Sequence, residues 1–198
     1  MYFDLSIGYE FRESLSMPEV FTVNVNPSRN RNFQIVERKM KMNILDDLGR
    51  YNDYEFIDPG IMTDAELELV LKETCPYKPQ KRYVPEYKFT MVNIRTRAIM
   101  GNISLRVGLT EKLKDFGGHI GYEVDEQYRG NNYAARSCRL LFPLFRKLEI
   151  NPVVITCAPN NLPSIRTIES LGGTLIAAKN VEIELGIFRP TNIYHLFV

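Results

Sequence analysis

A chain of 198 residues has room for one domain with an extension and for a core that needs no cross-links. Hydrophobic residues make up 44% and charged residues 25%, with a formal net charge of +1, so no global field points to a nucleic acid or a membrane surface as partner. Three widely spaced cysteines and two histidines give neither a disulfide framework nor a metal-ligand pattern, and free thiols fit a reducing, cytoplasmic setting.

Met1 to Glu10 lacks the cationic start of a secretory leader, and no apolar run reaches membrane-spanning length. Phe21 to Asn26 alternates like a short strand, and Pro27 to Asn32 reads as a polar turn. Ile35, Met40, Ile44, Leu45 and Leu48 fit a helix over 33–48, with Gly49 as its stop. Beyond Asp58-Pro59-Gly60 the pattern sharpens. Strands are predicted over Glu66–Leu71, Tyr87–Val92 and Ile99–Val107, the last broken near Gly101, with a proline-rich loop over Pro76–Glu86. His119–Val124 is another strand, and Leu109–Gly118 reads as loop.

The period then changes. Ala134, Cys138, Leu141, Phe145 and Leu148 recur at helical spacing from Tyr133, with Pro143 expected to kink or break the helix. Val153–Cys157 is a continuous apolar run of the buried-strand type. Pro163–Leu171 is a short helix ended by Gly172-Gly173, and Thr174–Ala178 and Asn192–Val198 close the chain as strands. The order predicts a sheet with helices packed on it.

Chemistry concentrates in Gly121-Tyr122-Glu123-Val124-Asp125-Glu126-Gln127-Tyr128-Arg129-Gly130-Asn131-Asn132-Tyr133-Ala134. A strand ends, a polar turn follows, and a helix opens. The first amides of a helix have no intrahelical partner, and the helix dipole favours an anion there. A pyrophosphate suits that position. Arg129 adds a cation, and Gly130 permits close backbone approach. A capped helix beside an exposed arginine gives the same pattern.

A second segment follows, with Ile155-Thr156-Cys157-Ala158-Pro159-Asn160-Asn161, then Ser164, then Glu169-Ser170-Leu171-Gly172-Gly173. The two segments together resemble the GNAT (N-acetyltransferase) superfamily. Gln127–Asn132 is similar to its pyrophosphate loop, Q/R-x-x-G-x-G/A, with Gln127 and Gly130 in register. Asn161-x-x-Ser164 and Glu169–Gly173 resemble its second signature, and Gly117-Gly118-His119-Ile120-Gly121-Tyr122 resembles a run found in bacterial members. The resemblance covers about Glu66 to Val198. It places a transferase domain over 53–198, with 1–52 as an extension packed on it. Two positions depart from the pattern. Asn132 stands where a second glycine is usual, and Ile168 stands where many members carry a tyrosine that protonates the leaving thiolate.

The resemblance implies an α+β fold with a mixed, mostly antiparallel sheet, two splayed parallel strands (His119–Val124 and Val153–Cys157) and flanking helices. It implies acetyl-CoA as cosubstrate, held in the gap between those strands. Val124, with Tyr122 beside it, would meet the pantetheine arm. Arg129, Gly130, Asn131, Asn132, Tyr133 and Ala134 would hold the pyrophosphate, and Asn161 and Ser164 would lie along the cofactor. No metal is implied. An amine of a small molecule or of a protein would attack the thioester directly, through a tetrahedral intermediate whose oxyanion a strand N–H stabilises.

The reaction needs a base, because alkylamines are protonated at neutral pH. His119 and Glu123 share one strand face and are the candidates, with Asn161 near the reacting amine. Tyr194 is a candidate acid. Each has a bland counterpart: a packed histidine, a solvated carboxylate, a core aromatic. Cys157 reads as a buried thiol rather than a nucleophile, and Cys138 as core. Lys78–Arg82 is a basic loop, either solvated or facing a phosphate or an anionic acceptor. Neither nucleic acid nor membrane is expected as partner, and a homodimer is compatible with the sequence. Two other readings stay open at this level. One is a nucleotide binder of another α/β type, against which the missing G-x-G-x-x-G and Walker lysine speak. The other is a degenerate domain that binds acyl-CoA as a sensor or scaffold.

Overall fold

Alternation of apolar and polar residues builds most of the core. The computed structural model describes residues 48–198 and the two-residue strand β1 (Val20–Phe21). The rest of the helix expected over 33–48 and of the strand expected over 21–26 lies outside the described residues. In β3 (Leu67–Cys75), β4 (Glu86–Asn93) and β5 (Ile99–Arg106), the buried side chains are Leu67 and Leu69, then Tyr87, Phe89, Met91 and Val92, then Met100, Ile103 and Leu105. The irregularity expected near Gly101 is a β-bulge. Met91 pairs with Gly101 and Val92 with Ile99, leaving Met100 as the extra residue. With β2 (Thr63–Asp64) and β6 (Ile120–Val124), these strands form one sheet in the order β2-β3-β4-β5-β6.

The second sheet has the order β1-β8-β9-β7, with β7 (Val153–Cys157), β8 (Thr174–Glu184) and β9 (Ile187–Leu196). Every ladder in both sheets is antiparallel. The two strands expected to splay, β6 and β7, are the facing edges of the two sheets and share no ladder. The hairpin β8–β9 is longer than the sequence suggests. Its outer half, Lys179 to Arg189, is held by pairing of the two strands with each other, and its side chains are mostly exposed although Val181, Ile183, Leu185 and Ile187 alternate with other residues.

Three helices complete the described part. Helix α1 (Glu111–Asp115) lies in the segment expected to be loop, capped by the Thr110 hydroxyl, which accepts from the Leu113 N–H at 3.1 Å. Helix α2 (Tyr133–Lys147) buries Ala135, Cys138, Leu141, Leu144 and Phe145 along one stripe. Of the kink or break expected at Pro143, the break does not occur, and the helix runs through that residue. That residue is on the exposed side, where solvent can serve the carbonyl that a proline leaves without a donor. Helix α3 (Leu162–Ser170) starts one residue earlier than predicted and buries Ile168. An edge-to-face run of rings, Tyr51–Tyr54–Phe56–Tyr87, ties the entering chain to β4, and the Tyr87 hydroxyl bonds both backbone groups of Ile57.

Candidate active site

The turn between β6 and α2 is built from a short 3-10 turn, Glu126–Tyr128, followed by two residues with left-handed backbone. Gly130 has φ +84° with open space where a Cβ would stand, so a ligand can come against the backbone there. Asn132 has φ 57° and occupies the N-cap of α2 without closing a side-chain cap. Asparagine tolerates this conformation, so the missing second glycine does not prevent the turn. The first helical bond runs from the Arg136 N–H to the Asn132 carbonyl at 3.0 Å. The amides of Tyr133, Ala134 and Ala135 precede it and are left for an external acceptor. The Arg129 guanidinium folds back toward the strand, its Nε donating to the Val124 carbonyl at 3.0 Å. That occupies one of the backbone groups expected to meet the cofactor arm and sets the cation at the mouth of the turn. Asn131 braces the loop by donating from Nδ2 to the Tyr128 carbonyl at 3.1 Å.

Sequence reasoning missed what fixes this end of α2. Arg136, one turn in, bonds Asp64 at 2.6 Å and Glu66 at 2.6 Å and stacks over Tyr133. The hydrogen bond from Arg136 holds the half-buried Glu66 carboxyl down to about 2. The clamp locks the first turn to β2 and β3 and leaves Arg136 neutralised. An i, i+3 pair of Tyr133 and Arg136 is visible in the sequence, but its carboxylate partners lie about seventy positions away.

At the other end of β6 the two sheets touch. The His119 N–H donates to the Val154 carbonyl at 2.8 Å, and the Val154 N–H donates to His119 Nδ1 at 2.9 Å. The Gly117 N–H donates to Thr156 Oγ1 at 2.9 Å. His119 is only 6% exposed. Burial first, then Arg106 and His195, hold its ring down to about 3. With one nitrogen engaged and basicity suppressed, the ring is a poor proton acceptor at neutral pH. Glu123 has the same strand parity but stands exposed, four residues away, about 13 Å by strand rise. The two candidate bases therefore do not converge on one proton.

The buried imidazole has a consequence for stability. Its folded basicity lies below the unfolded value of 6.5, so the unfolded chain binds more protons as acid is added. The stabilisation is complete above about pH 6.5 and is lost as pH falls from there toward 3. Between pH 7 and pH 5 the unfolding free energy is expected to drop by about 2 kcal/mol for this ring alone. Urea titrations at the two pH values measure it. An unchanged midpoint would mean that His119 is protonated in the folded chain.

Asn161 and Ser164 meet each other. Asn161 is the N-cap of α3, its Oδ1 accepting from the Ser164 N–H at 3.2 Å. Its Nδ2 makes no hydrogen bond with a described residue. Tyr122 reaches beneath α3. Burial pushes its hydroxyl up to about 12, with Ser164 and Thr167 near it, yet no hydrogen bond of good geometry forms. Ile168 is fully buried under Gly173, so that position serves packing. Tyr194 is buried in β9 opposite Ile155, with its hydroxyl accepting from Asn192 at 3.4 Å and its acidity lowered by burial. Burial raises the Cys138 thiol to about 12 and raises Cys157 as well, which leaves both as thiols. No group of three or more His, Cys, Asp or Glu suited to a metal occurs among the described residues. No helix among them is long and apolar enough to cross a membrane.

A family model for the acetyltransferase (GNAT) domain matches residues 45–174. No curated protein matched the chain. Among solved structures, a Vibrio cholerae protein assigned as a ribosomal-protein-serine acetyltransferase superposes with a TM-score of 0.52 at 14% identity, covering 72% of this chain and all of that one. RimL, a ribosomal L7/L12 alpha-N-protein acetyltransferase solved with coenzyme A, gives a TM-score of 0.52 at 17% identity, covering 70% of this chain and 98% of that one. At these identities the likeness is one of fold.

Proposed function

The chain belongs to the GNAT acetyltransferase family, and on that premise we propose that it moves an acetyl group from acetyl-CoA to a primary amine by direct attack on the thioester. It is an acyltransferase by family and fold. The observation that carries the finer reading is the turn after β6. It combines an open Gly130, a left-handed Asn132, three helix amides outside the ladder and Arg129 at the mouth. These are the donors a diphosphate needs, which supports the reading.

In this reading Val124 and Tyr122 line the cofactor arm, and Arg129 to Ala134 hold the pyrophosphate. Asn161 offers its free Nδ2 toward the thioester end, with Ser164 kept in place by the cap. Glu123 is the better proton acceptor of the two candidates, because it is exposed and can work through a water, whereas His119 is engaged in joining the sheets. The catalytic domain is 53–198. The pairing of Val20 and Phe21 with β8 supports an N-terminal segment packed upon it. Three free cysteines support a reducing, cytoplasmic setting.

Acetyl-CoA at a hundred times its dissociation constant is expected to add about 2.7 kcal/mol of stability and to raise Tm by about 5–10 °C. Thiol release with a panel of amines then reports transfer. A chain that acetyl-CoA neither protects nor acetylates through would not be an acetyl transferase of this kind.

A further inference from the structure

The β3–β4 connection and the segment leading into β6 enclose a cleft of about 710 Å³. Its floor is apolar, with Val84, Leu113 and Phe116, and its charge is one-sided. Six cations line it against two carboxylates, in a chain with almost equal numbers of each. After ion pairing, four of these cations stand against Glu111. Glu86 is neutralised by Arg106 at 3.3 Å. Lys88 is held by Glu73 at 2.8 Å, and Lys112 donates to the Ile183 carbonyl at 2.7 Å. Lys78, Lys81 and Arg82 are exposed on one rim and form no ion pair with a described residue. A concave site with apolar walls concentrates the field of such charges.

The place of the cleft says what it faces. Arg106 and Gly117 form its inner wall. Arg106 donates to the Gly117 and Gly118 carbonyls at 3.0 and 3.2 Å, and its own N–H donates to the His119 carbonyl at 2.8 Å. The wall is thus the start of β6, where the sheets meet. The phosphate turn lies beyond the opposite end of the strand, about 16 Å away over five residues. A coenzyme whose diphosphate sits at that turn would keep its phosphate end at the far end of β6, while an arm laid along β6 ends near the wall.

Building on the acetyltransferase reading, we propose that this cleft receives the acceptor and selects amines that carry carboxylate or phosphate groups close to the nucleophile. The rim cations hold the anionic part, and the apolar floor takes the aliphatic body.

The test uses the full chain. Acceptor peptides of equal length, with one N-terminal residue followed by three Glu, three Gln or three Lys, are compared by kcat/KM, together with 3-aminopropyl phosphate against propylamine. Tenfold or greater preference for the anionic member in either arm is expected, and the arm that responds tells a peptide from a small molecule. Binding of the N-acetylated Glu peptide is measured by calorimetry, without turnover. In the variant Lys78→Glu/Lys81→Glu, preference and binding should both fall at least tenfold while coenzyme affinity stays unchanged. Turnover without charge preference, or a preference that survives the double reversal, overturns the cleft assignment and leaves the transferase reading intact. Binding that the double variant abolishes, in a protein that turns over no acceptor, supports the cleft and removes the transferase reading.

Discussion

Arg129→Glu is expected to weaken coenzyme A binding by about 10- to 100-fold, with little change in the stability of the free protein. The side chain is exposed, and its one hydrogen bond, to the Val124 carbonyl, is at the surface. Losses at such positions stay near 0.5 kcal/mol. In the proposed complex the same side chain would face a diphosphate. Charge-assisted bonds of this kind contribute about 1.5–3 kcal/mol, and each 1.4 kcal/mol is tenfold in affinity. Isothermal calorimetry gives the constant directly, and equal affinities in the two proteins would take the diphosphate away from this turn. Asn132→Gly is the companion variant. The left-handed backbone at 57° is easier for glycine, so affinity should be kept or improved. A large loss would show that the asparagine side chain itself contacts the ligand.

Gly118→Ala is expected to cost about 2–5 kcal/mol. Gly118 has φ +59°, and an added Cβ would stand 2.5 Å from the Val154 carbonyl oxygen and 3.2 Å from the Ile155 Cα. Left-handed backbone costs an alanine about 1–2 kcal/mol. The overlap falls on backbone of a buried strand, which cannot swing aside like a side chain, and overpacking of this kind adds about 1–3 kcal/mol. For a chain of this size each kcal/mol lowers Tm by about 2–4 °C, so a drop of about 4–20 °C should appear in a thermal melt. A melting point within a degree of the parent would mean that the two sheets are not in contact at this residue. Coenzyme binding should suffer too, because the same contact sets the spacing of β6 and β7.

The parts of the fold that depend on neighbours in sequence were legible. Val153–Cys157 is found where its apolar run places it, and α2 starts at Tyr133 as the change of period indicates. The shape of the turn after β6 was legible because glycine and asparagine at a strand–helix junction report on backbone chemistry that is local. What escaped is settled at long range. The run Lys179 to Arg189 is not predicted as strand, although Val181, Ile183, Leu185 and Ile187 alternate around Gly186, because Pro190 stands within the second strand and Leu185 and Ile187 end in solvent rather than in the core. Helix α1 is too short to display a period. Strand parity put His119 and Glu123 on one face, but it could not show that Val154 closes over the first and leaves the second in solvent. The cationic cleft gathers residues from 75 to 117, and no window of sequence contains it.

The meeting of the sheets at residues 117–119 has a mechanical consequence. Between β6 and β7 the described contacts are a few hydrogen bonds gathered at one end, with no rungs further along. Such a joint behaves as the spine of a book. A slender guest lying between β6 and β7 would displace no rung of either ladder, because none spans that gap.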